Sequence, residues 1–207
     1  MEMQAKSILV RRALLLEYFT IGWNLLEGVF SIAAGLAAGS IALIGFGLDS
    51  FIEVTAAGVV AWRFGQHGLG EAEETAAERR AILVVGVTFL LLAAYVLYES
   101  LSKLIRQERP EESVLGIIIT AVSLLVMPAL AYFKRRVGEQ VGSRALLADA
   151  KETLACSYLS VTVLLGLAAN SLFGWWWADP AAGLAVVYWL VREGWEAVRE
   201  AGQDDED

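Results

Sequence analysis

Six long apolar segments separated by short polar breaks run the length of the chain, and they leave it few ways to fold. They fall at about 12–38, 39–65, 79–105, 113–134, 143–173 and 178–200. Each is long enough to cross the hydrocarbon core of a bilayer, which takes roughly 20 mostly apolar residues. Six of them use nearly all of the 207 residues, of which 57% are hydrophobic and only 19% charged, so water is not the main solvent. The expected fold is all-α, an integral membrane six-helix transmembrane bundle. It forms a single domain over residues 1–207 with tight connections, and no C-terminal cytoplasmic domain is expected.

The breaks carry turn chemistry at Gly35–Ser40, Gln66–Glu74, Arg109-Pro110, Val137–Gly142 and Gly174–Pro180. Orientation follows from Lys and Arg near the span ends, since basic loops tend to stay in the cytosol. Six spans put both termini on one side. That side collects Lys6, Arg11, Arg12, Arg63, Arg79, Arg80, Lys134, Arg135, Arg136, Arg144 and Arg199, whereas the other holds chiefly Lys103, Arg106 and Arg109. Both termini are therefore expected in the cytoplasm, with the bundle in the cell (inner) membrane. The opposite loop carries Gly174-Trp175-Trp176-Trp177, whose indoles suit the headgroup layer. The basic start resembles a signal peptide, but the apolar run behind it far exceeds an h-region and reads as the first span. A net charge of -8, with acidic clusters at Glu71–Glu78 and Asp204–Asp207, argues against a nucleic-acid partner.

Two spans open alike. Gly39-Ser40-Ile41-Ala42-Leu43 and Gly142-Ser143-Arg144-Ala145-Leu146 share Gly, Ser, Ala and Leu at a constant offset of 103. Carrying that offset forward places Asp49 over Glu152 and Glu53 over Cys156. Spacing i, i+4 puts Asp49 and Glu53 on one face of the second helix, and Glu152 and Cys156 on one face of the fifth. Facing each other as two parallel pairs, they would offer four donors to one ion. Zinc takes four ligands in a tetrahedron, with oxygens at roughly 2.0–2.2 Å and thiolate near 2.3 Å. Internal repeats that share a site at their interface are common in membrane transporters.

A charge at mid-bilayer costs at least about 2.5–3.5 kcal/mol, so intramembrane carboxylates mark a pathway or relay unless they are paired. The plainer alternative pairs Asp49 and Glu53 with Lys or Arg across the bundle, or holds them protonated between helices; Lys151 beside Glu152 keeps it open. Cys156, the one cysteine, has no partner for an intrachain disulfide and is by itself a small apolar packer. Its register with Glu53 is what recommends it as a ligand. The first span carries Glu17, Asn24 and Glu27. Glu27, the deeper carboxylate, suits either an accessory role feeding ions or protons to the site or a bond to another helix. Asp149 suits either an accessory ligand at the cytoplasmic mouth or a helix cap. His67, the sole histidine, lies in the break after the second span, where an exposed loop residue outweighs a metal relay.

These residues resemble the cation diffusion facilitator family of metal cation/proton antiporters over nearly the whole chain. The marks are Leu48-Asp49-Ser50-Phe51-Ile52-Glu53, Tyr98-Glu99-Ser100-Leu101, Ser143–Ala150 and Trp177-Ala178-Asp179-Pro180. The resemblance implies a six-helix bundle with cytosolic termini, a homodimer, and a metal site built from the second and fifth spans. The family's usual pattern has Asp and Asp on the second span, then His or Asp and Asp on the fifth. Here the matching positions are Asp49 and Glu53, then Glu152 and Cys156. Exchanging imidazole and carboxylate for Glu152 and Cys156 alters ligand softness. Zinc leads; cadmium gains from the thiolate, and manganese, iron, cobalt and nickel remain compatible. Many members continue into a cytoplasmic metal-binding domain that helps hold the dimer, whereas this sequence stops soon after the sixth span.

The expected function is efflux of a divalent metal in exchange for protons. Removal from water favours the neutral form of a carboxyl group, and metal binds the deprotonated form, so the two cargoes displace each other. The metal is cargo, and no resident cofactor and no enzymatic activity are expected. Three rivals differ in observable ways. An intramembrane aspartyl protease, suggested by Gly45-Phe46-Gly47-Leu48-Asp49, needs facing aspartates on two helices. A noncatalytic membrane subunit or scaffold with buried polar pairs would show no metal-dependent change in stability. A passive cation channel would show flux without proton coupling.

Overall fold

A computed structural model describes residues 2–67 and 76–203, and it is helical almost throughout. Its elements are α1 (Glu2–Ala38), α2 (Ile41–His67), α3 (Ala76–Arg106), α4 (Val114–Val141), α5 (Arg144–Phe173) and α6 (Ala178–Gln203). Most of the Glu71–Glu78 cluster and all of Asp204–Asp207 lie outside the described residues, as does the side chain of His67, which closes α2.

Two helices outrun their apolar segments. α1 begins at Glu2 rather than near 12, and α4 ends at Val141 rather than near 134. Lys, Arg and Gln are good helix formers, so a polar stretch continues a helix that the apolar pattern no longer marks. α4 stops at Gly142, whose φ of 69° suits a residue without a Cβ and whose amide donates to the Gly138 carbonyl. α5 starts at once, with Ser143 Oγ accepting from the Leu146 amide at 3.3 Å. The first copy of the repeat is built alike: Gly39 has φ 65°, and Ser40 Oγ accepts from the Leu43 amide at 3.1 Å. The closing bonds also correspond, Ser40 N–H donating to the Gly35 carbonyl at 2.9 Å and Ser143 N–H to the Gly138 carbonyl at 3.1 Å. The shared Gly-Ser-x-Ala-Leu is thus one stop-and-start device used twice.

The bundle is apolar outside and polar within. Leu15, Phe19, Leu36, Leu91, Leu125 and Leu172 are each more than half exposed, whereas Glu17, Asn24, Glu27, Asp49, Glu53, Lys134 and Asp149 are buried. A water-soluble bundle has the opposite arrangement, since exposed apolar faces of this extent need lipid or a partner to cover them. Among the described residues α1 to α5 are long and apolar enough to span a membrane. In α6 the charges of Arg192, Glu193, Glu196 and Arg199 dilute the apolar run. These features define an integral membrane bundle.

The helices associate as α1 with α2, α3 with α6, and α4 with α5. Glycine allows the backbones to touch. A Cβ at Gly47 would stand 3.0 Å from the Gly28 carbonyl oxygen, and one at Gly194 would stand 2.9 Å from that of Gly86. α2 and α5 run antiparallel: Leu43 and Leu167 both flank Gly116, Asp49 meets Cys156, and Val60 and Phe64 share an apolar cluster with Leu146.

Candidate metal centre

The depth of each donor is set by where its helix starts. α2 is anchored at its first turn: Asp179, at the head of α6, accepts from the Ser40 hydroxyl and, at 3.0 Å, from the Ile41 amide. Asp179 thereby supplies negative charge to a helix N-terminus. Lys103 of α3 donates to the Gly39 carbonyl at the end of α1. Asp49 and Glu152 each lie eight residues into their helices, about 12 Å from opposite ends of the bundle.

Antiparallel packing then determines which donors meet. Asp49, Glu53 and Cys156, all buried, each offer a donor atom within 4.8 Å of the others. Cys156 Sγ is 3.7 Å from Asp49 Oδ2. Donors on a tetrahedral ion of this size stand about 3.3–3.8 Å apart, so a small contraction closes the three around one ion. Glu152 lies outside this tight group but lines the same cavity, with Ala56, Phe89, Ala155, Trp189 and Glu193 completing much of its wall. The cavity holds about 20 Å³, whereas a water-sized occupant needs roughly 10–15 Å³. Because α2 and α5 are antiparallel, Asp49 faces Cys156 rather than Glu152, and the two pairs meet head to tail instead of in parallel.

Behind these donors runs a hydrogen-bonded wall. Asn24 Nδ2 donates to Glu53 Oε2 at 2.8 Å. Glu27 accepts from Trp23 Nε1 at 2.5 Å, from Ser123 Oγ at 2.7 Å and from Ser50 Oγ at 3.0 Å. Through these bonds it joins α1, α2 and α4. Ser160 links this wall to α5, its one hydroxyl proton having Ser123 Oγ at 3.3 Å and the Cys156 carbonyl at 3.0 Å as acceptors within reach. Groups that bond a ligand's far side fix its orientation.

Lys134 departs from its expected place with the loop charges. Because α4 continues past it, its side chain is fully buried, 3.2 Å from Glu17 and bonded to Asp149. Asp149 is therefore engaged by a lysine, and the cap of α5 is Ser143. Lys151 is exposed, and neither Asp49 nor Glu53 forms an ion pair with a described residue. Asp49 is met by a thiol, not by a second aspartate. Ser50, Ser123, Lys134 and Glu193 are not among the candidate site residues that the sequence offers. Serine gives no local signal in an apolar helix, whereas Glu193 stands four residues beyond Trp189 on one face of α6 and was legible as a charge within a span.

A bundle with a lipid-compatible exterior and a buried group of side chains of the kinds that can ligate a metal matches a class of membrane protein that handles cations. The sequence profile of the cation efflux transmembrane domain matches residues 19–204, and the chain belongs to this family, the cation diffusion facilitators, which transport metal cations. Similar proteins include the cation-efflux pump FieF of Shewanella oneidensis, 25% identical over 80% of this chain and 57% of the relative. The magnetosome protein MamB of Paramagnetospirillum magneticum is 27% identical over 82% of this chain and 59% of its own length. The cadmium, cobalt and zinc/H(+)-K(+) antiporter of Bacillus velezensis is 23% identical over 92% of this chain and 61% of its own. The chain thus spans less than two thirds of the length of these relatives.

Proposed function

We propose that this bundle exports a divalent cation, zinc foremost, in exchange for protons, with Asp49, Glu53, Glu152 and Cys156 as the ligands. The observation that carries this reading is the meeting of Asp49, Glu53 and Cys156 within 4.8 Å, from two helices, in the interior of a membrane bundle. Two carboxylates without a counter-ion are costly in that setting, and a divalent cation or protons remove the cost. Glu152, on the same cavity wall, is the fourth donor. The carboxylates favour zinc, manganese and cobalt alike, while the thiolate favours zinc and cadmium, so zinc satisfies the whole set best.

Exchange follows from competition for one set of ligands. Metal bound from the cytoplasmic face displaces protons, and protons taken up from the far side displace metal when the bundle alternates between two openings. Both termini face the cytoplasm of the cell (inner) membrane in this reading, and the chain acts as a homodimer. Asp49→Ala, reconstituted into proteoliposomes at normal protein levels, is expected to abolish metal-driven proton movement. Undiminished movement removes Asp49 from the site and the reading with it.

A further inference from the structure

The cavity carries one carboxylate that the ligand set above leaves unused. Glu193 of α6 lines it together with Asp49, Glu53, Glu152 and Cys156. The charges beside it on α6 are satisfied elsewhere: Arg192 Nε donates to Glu196 at 3.1 Å, and its guanidinium lies over the Trp189 ring. Among the described residues Glu193 makes no hydrogen bond or ion pair. Nor is it free to swing away with its helix. The adjacent Gly194 is in backbone contact with α3, where an added Cβ would stand 2.9 Å from both the Gly86 carbonyl oxygen and Phe89 Cβ.

Position gives this carboxylate a direction. α5 begins and α6 ends on the same side of the bundle, and Glu152 and Glu193 lie about 12 Å and 15 Å in from those ends. On α5, Glu152 is one turn nearer that side than Cys156. A cation approaching the Asp49, Glu53 and Cys156 group from the α4–α5 connection therefore passes the Glu152 level of the cavity, with Glu193 on the facing wall. Two half-buried carboxylates at a mouth attract a partly hydrated divalent ion before it is stripped for tight coordination.

We propose that Glu193 is a cation-contacting residue that, with Glu152, receives a divalent metal ion from the side of the α4–α5 connection and passes it to Asp49, Glu53 and Cys156. α6 is then a third wall of the metal's path, beside α2 and α5. The proposal rests on the reading of this cavity as a metal site, and its test separates the two.

Detergent-solubilised protein is mixed rapidly with zinc or cadmium ions at several ionic strengths, and association is followed by tryptophan fluorescence, to which Trp189 contributes from the cavity wall. Glu193→Gln keeps the shape and removes the charge; Glu193→Asp keeps the charge. The glutamine variant is expected to associate about tenfold more slowly, with a weaker dependence on salt, while the aspartate variant stays within about twofold of the unsubstituted protein. Glu193→Ser gives the same comparison should the glutamine variant not fold. Unchanged rates and salt dependence in the uncharged variants, with binding abolished by Asp49→Ala, overturn the proposal. Full binding by Asp49→Ala overturns the metal site itself, and the proposal falls with it.

Discussion

Lys134 carries its charge into the bundle because α4 does not end where its apolar residues do. There it lies between Glu17 and Asp149, all three buried. Removing the one cation leaves two carboxylates facing each other away from water, and breaking a buried pair of this kind costs about 3–5 kcal/mol. Lys134→Met is therefore expected to lower the thermal unfolding temperature in detergent sharply. Lys134→Met combined with Glu17→Gln should recover part of the loss, because a charge left over by the first change is then gone. Cys156 is a second position where one atom matters. Serine in its place keeps the size and replaces a soft donor by a hard one. Titration calorimetry of Cys156→Ser should show cadmium affinity falling on the order of tenfold relative to zinc, roughly 1.4 kcal/mol; an unchanged ratio would remove the thiol from the ligand set.

The helices hold their donors at fixed depth through their ends and their glycine crossings. Asp179 bonds the first turn of α2 from the head of α6, so Asp179→Ala is expected to cost about 1 kcal/mol as a lost cap. Its signature is a drop in unfolding temperature with the metal ligands untouched. The α1–α2 crossing is tighter still. A Cβ at Gly47 would meet Ile32 Cγ1 at 2.8 Å and the Gly28 carbonyl oxygen at 3.0 Å, neither of which yields easily. Gly47→Val should push α1 away at about 1–3 kcal/mol of overpacking. It should also weaken metal binding in calorimetry, since Asn24 of α1 bonds Glu53 of α2.

For the bundle as a unit, exchange of metal for protons makes a pH prediction whose sign is fixed. In the exchange proposed above, protons and metal compete for the same oxygens and sulfur, so lowering the pH is expected to weaken metal binding and raising it to strengthen binding. Calorimetry in buffers of different ionisation enthalpy should reveal protons released on zinc binding. Equal heats across buffers would contradict proton exchange. The three helix pairs also bear on this, because the cavity lies between α2, α5 and the α3–α6 pair rather than inside any one of them. Movement of one pair against another changes the cavity without unfolding a helix.

Much of this was legible along the chain. Span length is a local property, set by how many apolar residues lie between polar breaks, and it locates all six helices, although α1 and α4 run on past it into polar stretches. The i, i+4 spacing of Asp49 with Glu53 and of Glu152 with Cys156 is equally local, and all four line one cavity. The Gly-Ser repeat forecast equivalent helix starts, and the two capping geometries agree. Local pattern could not say that Asp49 stands beside Cys156, that Lys134 turns inward to Glu17, or that α6 brings Glu193 to the same wall. Those contacts join residues far apart in the chain, and which of them form depends on how six helices share their buried faces, a free energy that no single stretch of sequence contains.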